Sequence, residues 1–149
     1  MKRAVSIALK IPDNTAYTAL VALRRLGVAV ARVERDEIWL ADDDGDEAAL
    51  YRRIEADETI FNPNKHRVRI LSSVSPAEGE VWIEPLAAGG KGPDAVAWRL
   101  LDESGAPVAR AVLDCAIERL LCNPAIERAV TPLPQGSRTA QKAHRTPGK

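Results

Sequence analysis

A helix, a stop and a strand follow one another in residues 113–130, and this pattern constrains the fold more than any other stretch. Asn123 can end the helix and Pro124 cannot continue it. Ile126 and Val130 then follow the two-residue rhythm of a half-buried strand. The helix is predicted because apolar residues recur at three- and four-residue spacing, namely Leu113, Ala116, Ile117, Leu120 and Leu121.

A weaker copy of this pattern lies sixty-one positions earlier, where Asn62 and Pro63 separate a helical segment from an alternating one. Two such units predict an α+β fold, with an antiparallel sheet and two to three helices on one face. The expected organisation is a first unit (1–71), a linker (72–79), a second unit packed on the first (80–131) and a disordered basic tail (132–149).

The alternation of apolar and polar residues changes phase in the middle of the first unit. Residues 28–40 are strand-like, but the apolar positions switch faces near residues 35–37, where a bulge or a tight hairpin turn could occur. One long bent strand and a hairpin both fit. The other predicted elements are a strand (4–11), a helix capped by Asp13 or Asn14 and ended by Gly27, a helix of about twelve residues after the acidic run 42–47, and a strand (66–71).

The second unit begins with a strand over residues 81–86. The glycine-rich loop that follows, 87–94, lacks the GxxxxGK[ST] sequence and the helix of a phosphate-binding loop, which favours a flexible connection. Residues 96–101 and 108–112 then fit a hairpin around a turn. Residues 107–112 also fit the start of the final helix, and we favour the hairpin.

Composition excludes several classes of protein. The 149 residues are 46% hydrophobic and 28% charged, as in ordinary globular domains, and no apolar run approaches the ~18 residues of a membrane span. The N-terminus alternates polar and apolar residues and does not resemble a signal peptide, so we expect a cytoplasmic protein without membrane contact. Net charge is zero, and the basic residues after position 137 leave the rest mildly acidic, so no nucleic-acid partner is expected.

The densest cationic cluster before the tail is the candidate binding site. Lys65, Arg67 and Arg69 share one face of a predicted strand, where they could contact a phosphate or an acidic partner. A solvated sheet face or an edge protected by charge is the competing interpretation. His66 falls on the opposite face and is expected to be half-buried.

Other candidate residues have structural interpretations. The acidic run 42–47 lacks the ligand spacing of a calcium loop and fits a solvated turn before a helix. Cys115 and Cys122 lie on the apolar helix, too far apart for a disulfide and without zinc-site spacing, and are predicted to be buried thiols. The tryptophans are expected to anchor the core or an interface. We therefore predict no catalytic, cofactor-binding or metal-ligating residue, and no cofactor.

The first 71 residues resemble PurS, the small subunit of formylglycinamide ribonucleotide amidotransferase in its multi-subunit form. The resemblance lies in the opening strand ending at Leu9-Lys10, in the helix ending Ala-Leu-Arg-Arg-Leu-Gly at 22–27, and in the strand-like segment 30–40. The family's second helix typically ends in a Cys-x-x-Leu-Leu-x-Asn-Pro-x-Ile-Glu type of pattern. The better copy of that pattern is at 115–127, and Asn62-Pro63 is a partial one.

This resemblance implies a βαββαβ order and a non-catalytic accessory subunit of purine biosynthesis. Such a subunit bridges a synthetase subunit and a glutaminase subunit so that ammonia passes between them. A simple PurS chain is shorter and carries each feature once, so this chain is interpreted as extended or partly duplicated. A long antiparallel edge and scarce aromatic residues also predict a homo-oligomer.

Two alternatives remain open. A small-molecule-binding regulatory domain similar to the ACT family fits residues 11–13 before the first helix and 26–30 after it, although Tyr17 stands near where that family tends to use glycine. A divergent protein of PurS-like fold with an unrelated function also fits. An enzyme active by itself has the least support, because no nucleophile and base occur in a recognisable arrangement.

Overall fold

The computed structural model describes residues 1–87 and 89–133, which form six strands and three helices. The predicted tail lies outside the described residues from position 134 onward. In chain order the elements are β1 (Lys2–Leu9), α1 (Asn14–Arg25), β2 (Arg32–Asp42), α2 (Glu47–Ala56), β3 (His66–Ile70), β4 (Glu80–Pro85), β5 (Ala95–Leu101), α3 (Arg110–Ala116) with a π-helical turn (Ile117–Leu121), and β6 (Glu127–Val130).

All six strands form one sheet in the order β3-β1-β2-β5-β4-β6, and every neighbouring pair is antiparallel. The predicted α+β fold with an antiparallel sheet is confirmed. The first unit supplies β3, β1 and β2, and the second supplies β5, β4 and β6, so the two units meet at the pairing of β2 with β5. Among the described helices, none has the length and apolarity needed to cross a membrane.

The three helices pack on one face of this sheet, as predicted. Leu50 of α2 belongs to a buried cluster with Val5 of β1. Leu23 of α1 and Leu113 of α3 belong to a second cluster with Leu100 of β5. The strand register places Val5 and Leu100 on the same side, which we call the helix face. The opposite side, which carries none of the helices in residues 1–87 and 89–133, is the open face.

The same turn is built at two places sixty-one positions apart. The carbonyl of Asn62 accepts the amide of His66 (2.8 Å), and the carbonyl of Asn123 accepts the amide of Glu127 (2.8 Å). In both turns the asparagine Oδ1 accepts the amide of the residue two positions later. The side chain four positions after the asparagine, His66 or Glu127, accepts the asparagine amide. The two turns therefore use one hydrogen-bond pattern. Helix α1 has no counterpart in the second unit, where β4 runs through a loop directly into β5.

The predicted hairpin of residues 96–101 with 108–112 is wrong, and the alternative that residues 107–112 lead into the helix is correct. Both edges of β5 are already paired, to β2 and to β4, so no edge is free for a hairpin partner. Pro107 makes one isolated bridge to Leu101, after which the chain leaves the sheet and α3 begins at Arg110.

The phase change predicted in residues 28–40 has a simple origin. β2 is one uninterrupted strand with a constant register to both neighbours, so there is neither a hairpin nor a bulge at residues 35–37. Val28 and Val30 were predicted from the sequence to begin the apolar alternation of this strand. They precede the strand and are buried in the core. A similar shift affects the last helix, where the π-helical turn leaves Leu120 40% exposed while Leu121 is buried.

Candidate functional site

The connection from β3 to β4, residues 71–79, crosses the open face and encloses one side of a broad cleft. β3 is an edge strand and β4 lies beyond β1, β2 and β5, so the connection must pass those three strands. Leu71 packs against the buried cluster of the open face, which includes Trp82. Gly79 ends the crossing with φ +72, and a Cβ there would lie 2.6 Å from Pro107 Cβ, so glycine is required.

The floor of the cleft consists of small side chains between two charged walls. Ser6 and Ala8 of β1 form this floor. On one side, β3 places Arg69 beside Ser6 and Arg67 beside Ala8. On the other side, β2 places Asp36 beside Ala8. The cleft therefore has a cationic wall along the sheet edge and a wall containing carboxylates toward the sheet centre.

The central wall is organised around the guanidinium of Arg99. It donates to Glu34 Oε1 (2.8 Å), to Asp36 Oδ2 (3.3 Å) and to Glu80 Oε2 (2.7 Å). The side chains of Asp36 and Glu80 are only 8% and 9% exposed. Arg99 thus bridges carboxylates from two strands, one on each side of its own, and is the only cation in direct contact with both buried acids among the described residues.

The pKa values follow from this arrangement. Burial by itself lowers the pKa of Arg99, but its hydrogen bond to Glu34 and the charges of Asp36 and Glu80 outweigh burial and raise that pKa above its ordinary value. Partial burial would raise the pKa of Glu34, yet its bond to Arg99 and the positive charges around it lower that pKa. Arg99 and Glu34 therefore stay ionised at neutral pH, and neither supplies a general acid or base.

Other donors also bind the carboxylates of the cluster. Ser6 Oγ donates to Asp36 (3.0 Å), Trp82 Nε1 donates to Glu80 (3.1 Å), and the amide of Ala77 donates to Glu80 (2.9 Å). Trp82 is 3% exposed. The cluster therefore ties the crossing connection to the sheet and fixes the shape of the cleft.

The predicted candidate residues lie at the other wall. Arg67 and Arg69 are exposed on the open face, and Lys65 is exposed just before β3. None of the three side chains is paired with a carboxylate or makes a hydrogen bond within the described parts of the chain. His66 lies on the opposite face, as predicted, and its Nδ1 accepts the amide of Asn62 at 3.0 Å.

The other candidates have structural roles. Asp43 accepts the amide of Gly45, which lowers its pKa, and Asp46 caps α2 by accepting the amide of Ala49. Among residues 1–87 and 89–133, no group of three metal-ligating side chains is close enough to hold an ion. Cys115 and Cys122 are free thiols that are partly rather than fully buried, and burial raises the pKa of Cys122.

The Arg99 cluster was missed by sequence reasoning. Asp36 was predicted to lie in a bulge or a hairpin turn, but it lies within β2 and shares a strand face with Ile38. The available sequence signal was its two-residue spacing from Ile38, because an acid that faces inward on a strand requires a cationic partner. Nothing in one sequence identifies that partner as Arg99.

Comparison of the sequence with protein-family models and with characterised proteins finds no match. The fold and the cleft define a small α+β protein whose charged open face is partly covered by residues 71–79.

Proposed function

We propose that this protein is a non-catalytic accessory subunit similar to PurS, which supports glutamine-dependent formylglycinamidine ribonucleotide synthesis by contacting a synthetase subunit and a glutaminase subunit. The segments that carry the resemblance have clear structural uses here. Residues 22–27 end α1, with Gly27 at φ +84, and the Asn-Pro pairs form the two equivalent turns. These uses are compatible with an inherited scaffold.

The observation that carries the proposal is the character of the β3 edge. Its outer backbone groups are partly occupied, because the amide of Ile70 donates to the hydroxyl of Tyr51 (3.1 Å) and the amide of His66 donates to Asn62. An edge occupied in this way disfavours addition of a further strand. Its exposed, unpaired cations Lys65, Arg67 and Arg69 instead favour an acidic surface on a partner protein.

The absence of a catalytic role is supported by the state of the reactive side chains. The imidazole of His66 is used as an acceptor within a turn, and the carboxylates of the open face are bound to Arg99. The thiols pack beside the helix-face core, where burial makes the Cys122 thiolate less accessible. A binding role does not require these hydrogen bonds and ion pairs to change.

The proposal is tested by reconstitution with the synthetase and glutaminase subunits from the same organism. A tagged full-length chain should retain both subunits in the presence of glutamine and nucleotide, and should raise glutamine-dependent product formation. If the chain retains neither subunit and leaves product formation unchanged, the proposal is wrong.

A charge-reversed variant tests the surface. K65E/R67E/R69E should lose partner binding, because three attractive charges become repulsive. The matched control R24E/R25E/R52E changes the same number of exposed arginine or lysine charges on α1 and α2, away from the open face, and should retain binding.

A further inference from the structure

The two units differ at one equivalent position on the open face. In the second unit Arg128 of β6 lies opposite Glu84 of β4 and forms an ion pair with it. Arg67 stands in the same place in the first unit, five residues after its Asn-Pro turn, but the residue opposite is Ala8. The first unit thus keeps the cation, but the paired strand has no carboxylate at the position opposite it.

We infer that Arg67 and Arg69 bind the phosphate group of a small phosphorylated ligand in the cleft. The two side chains leave the same face of β3 and their Cα atoms are about 7 Å apart, a separation that two guanidinium groups can bridge around one phosphate. Ser6 and Ala8 beside them are small, which leaves room above the floor. Arginine provides the planar pair of donors that phosphate oxygens match.

The crossing connection supplies further donors at this position. Ser72, Ser73 and Ser75 line the cleft on the side of the arginines. The hydroxyls of Ser73 and Ser75 are 3.2 Å apart and either can be the donor, so one hydroxyl hydrogen is available to an incoming oxygen. A phosphate between β3 and this connection would be held from two directions.

The opposite wall indicates what the rest of the ligand is. Glu34 and Asp36 face the cleft with carboxylate oxygens, and Arg99 and Arg32 balance most of their charge. A wall of this kind accepts hydrogen bonds from hydroxyl groups without strongly repelling a phosphate across the floor. The ligand class is therefore a sugar phosphate. This inference requires no protein partner and so does not rest on the proposed function, although both assign a binding role to Arg67 and Arg69.

Calorimetric titration and thermal unfolding of the full chain test the inference with ribose 5-phosphate and glucose 6-phosphate. At least one should raise the melting temperature, because a ligand that binds only the native state stabilises it. Ribose, glucose and sulfate, compared at equal ionic strength, should change the melting temperature little. Inorganic phosphate should raise it by less than a sugar phosphate does. Equal stabilisation by sulfate, or none by either sugar phosphate, overturns the inference. An amino acid such as glutamine as the sole stabilising ligand also overturns it and favours the ACT-like alternative.

Substitutions locate the site. R67A/R69A should weaken binding roughly tenfold or more, because charge-assisted hydrogen bonds are lost. The control R24A/R52A, which removes two exposed charges on the helix face, should bind normally. If the double variant fails to fold, amide chemical-shift changes in the unaltered chain decide: changes in β3 and residues 72–75 support the site, and changes confined elsewhere refute it.

Discussion

At the scale of single residues, Arg99 explains how the open face tolerates buried acids. A buried carboxylate is costly unless it is paired and hydrogen-bonded, and Asp36 and Glu80 meet both conditions through one guanidinium. Glu80 also accepts the Ala77 amide, so the same cation indirectly holds the crossing connection. Loss of Arg99 would leave two nearly buried charges without a counter-ion.

We therefore expect R99M to lower the free energy of unfolding by about 3 kcal/mol, since breaking a buried ion pair from one side leaves an uncompensated charge. Urea unfolding at pH 7 measures this loss. The control R52M, at an exposed position on α2, should change the free energy by less than about 0.5 kcal/mol. Equal effects of the two substitutions would contradict a stabilising role for the Arg99 cluster.

The pH dependence of stability provides a second comparison, between the unaltered protein and R99M. The pKa of Glu34 in the folded protein is below its ordinary value of 4.5, so its stabilising contribution is fully present above that value and is lost as pH falls through the folded pKa. R99M lacks the bond that lowers this pKa. The difference in unfolding free energy between the two proteins should therefore narrow below about pH 4. A difference that stays constant from pH 7 to pH 3.5 would contradict this explanation.

The candidate site shows what sequence can predict at this scale. The common face of Arg67 and Arg69 and the opposite placement of His66 follow from the two-residue period of a strand. The proximity of Asp36 and Arg99 follows only from the pairing of β2 with β5, which joins residues far apart in the chain. Local pattern contains no information on that pairing.

At the scale of elements, helix starts were predicted where a side chain caps them. Asp13 was one of two predicted caps, with Asn14, and the acidic run 42–47 was predicted to precede a helix. Asp13 and Asp46 accept amide hydrogen bonds at the starts of α1 and α2. Helix α3 starts after Ala109, which provides no side-chain cap, and Val108 and Val112 around it are typical of a strand. The hairpin was therefore favoured over the correct alternative, a helix starting within residues 107–112, because the start of α3 has no local signal.

Asp13 offers a test of capping, because it has two separable roles. Its Oδ1 accepts the amides of Thr15 and Ala16, and its Oδ2 accepts Arg35 Nε at 3.1 Å. We expect D13A to cost about 2 kcal/mol, since it loses both the cap and the ion pair, and D13N to cost about half as much, since asparagine still caps.

Thermal and urea unfolding of both variants measure the difference. D46A removes a cap whose carboxylate has no ion pair among the described residues, and should cost about 1 kcal/mol. If D13N is as destabilised as D13A, the cap contributes little and the bond to Arg35 accounts for the effect.

At the scale of the whole molecule, the two units are parts of one structure. β2 and β5 pair from Arg32–Leu101 to Ile38–Ala95. The largest buried cluster combines Leu23, Val28 and Val30 of the first unit with Val81 and Leu100 of the second. The segment predicted as a linker, 72–79, crosses the sheet and is bound to it where the amide of Ala77 donates to Glu80 of β4. Neither unit could expose its side of this interface without losing a substantial part of its core.

The chain should therefore unfold in a single cooperative transition, with calorimetric and van't Hoff enthalpies equal.

L100A removes a fully buried side chain at the junction and should lower the free energy of unfolding by about 2–5 kcal/mol. Because the cluster is shared, hydrogen-exchange protection should fall together in β1 of the first unit and β4 of the second. L120A, at an exposed position, is the control and should leave protection in both strands nearly unchanged. Separate transitions, or protection lost in β4 alone, would mean that the units are stable independently and that a ligand or partner at β3 is not energetically coupled to the rest of the sheet.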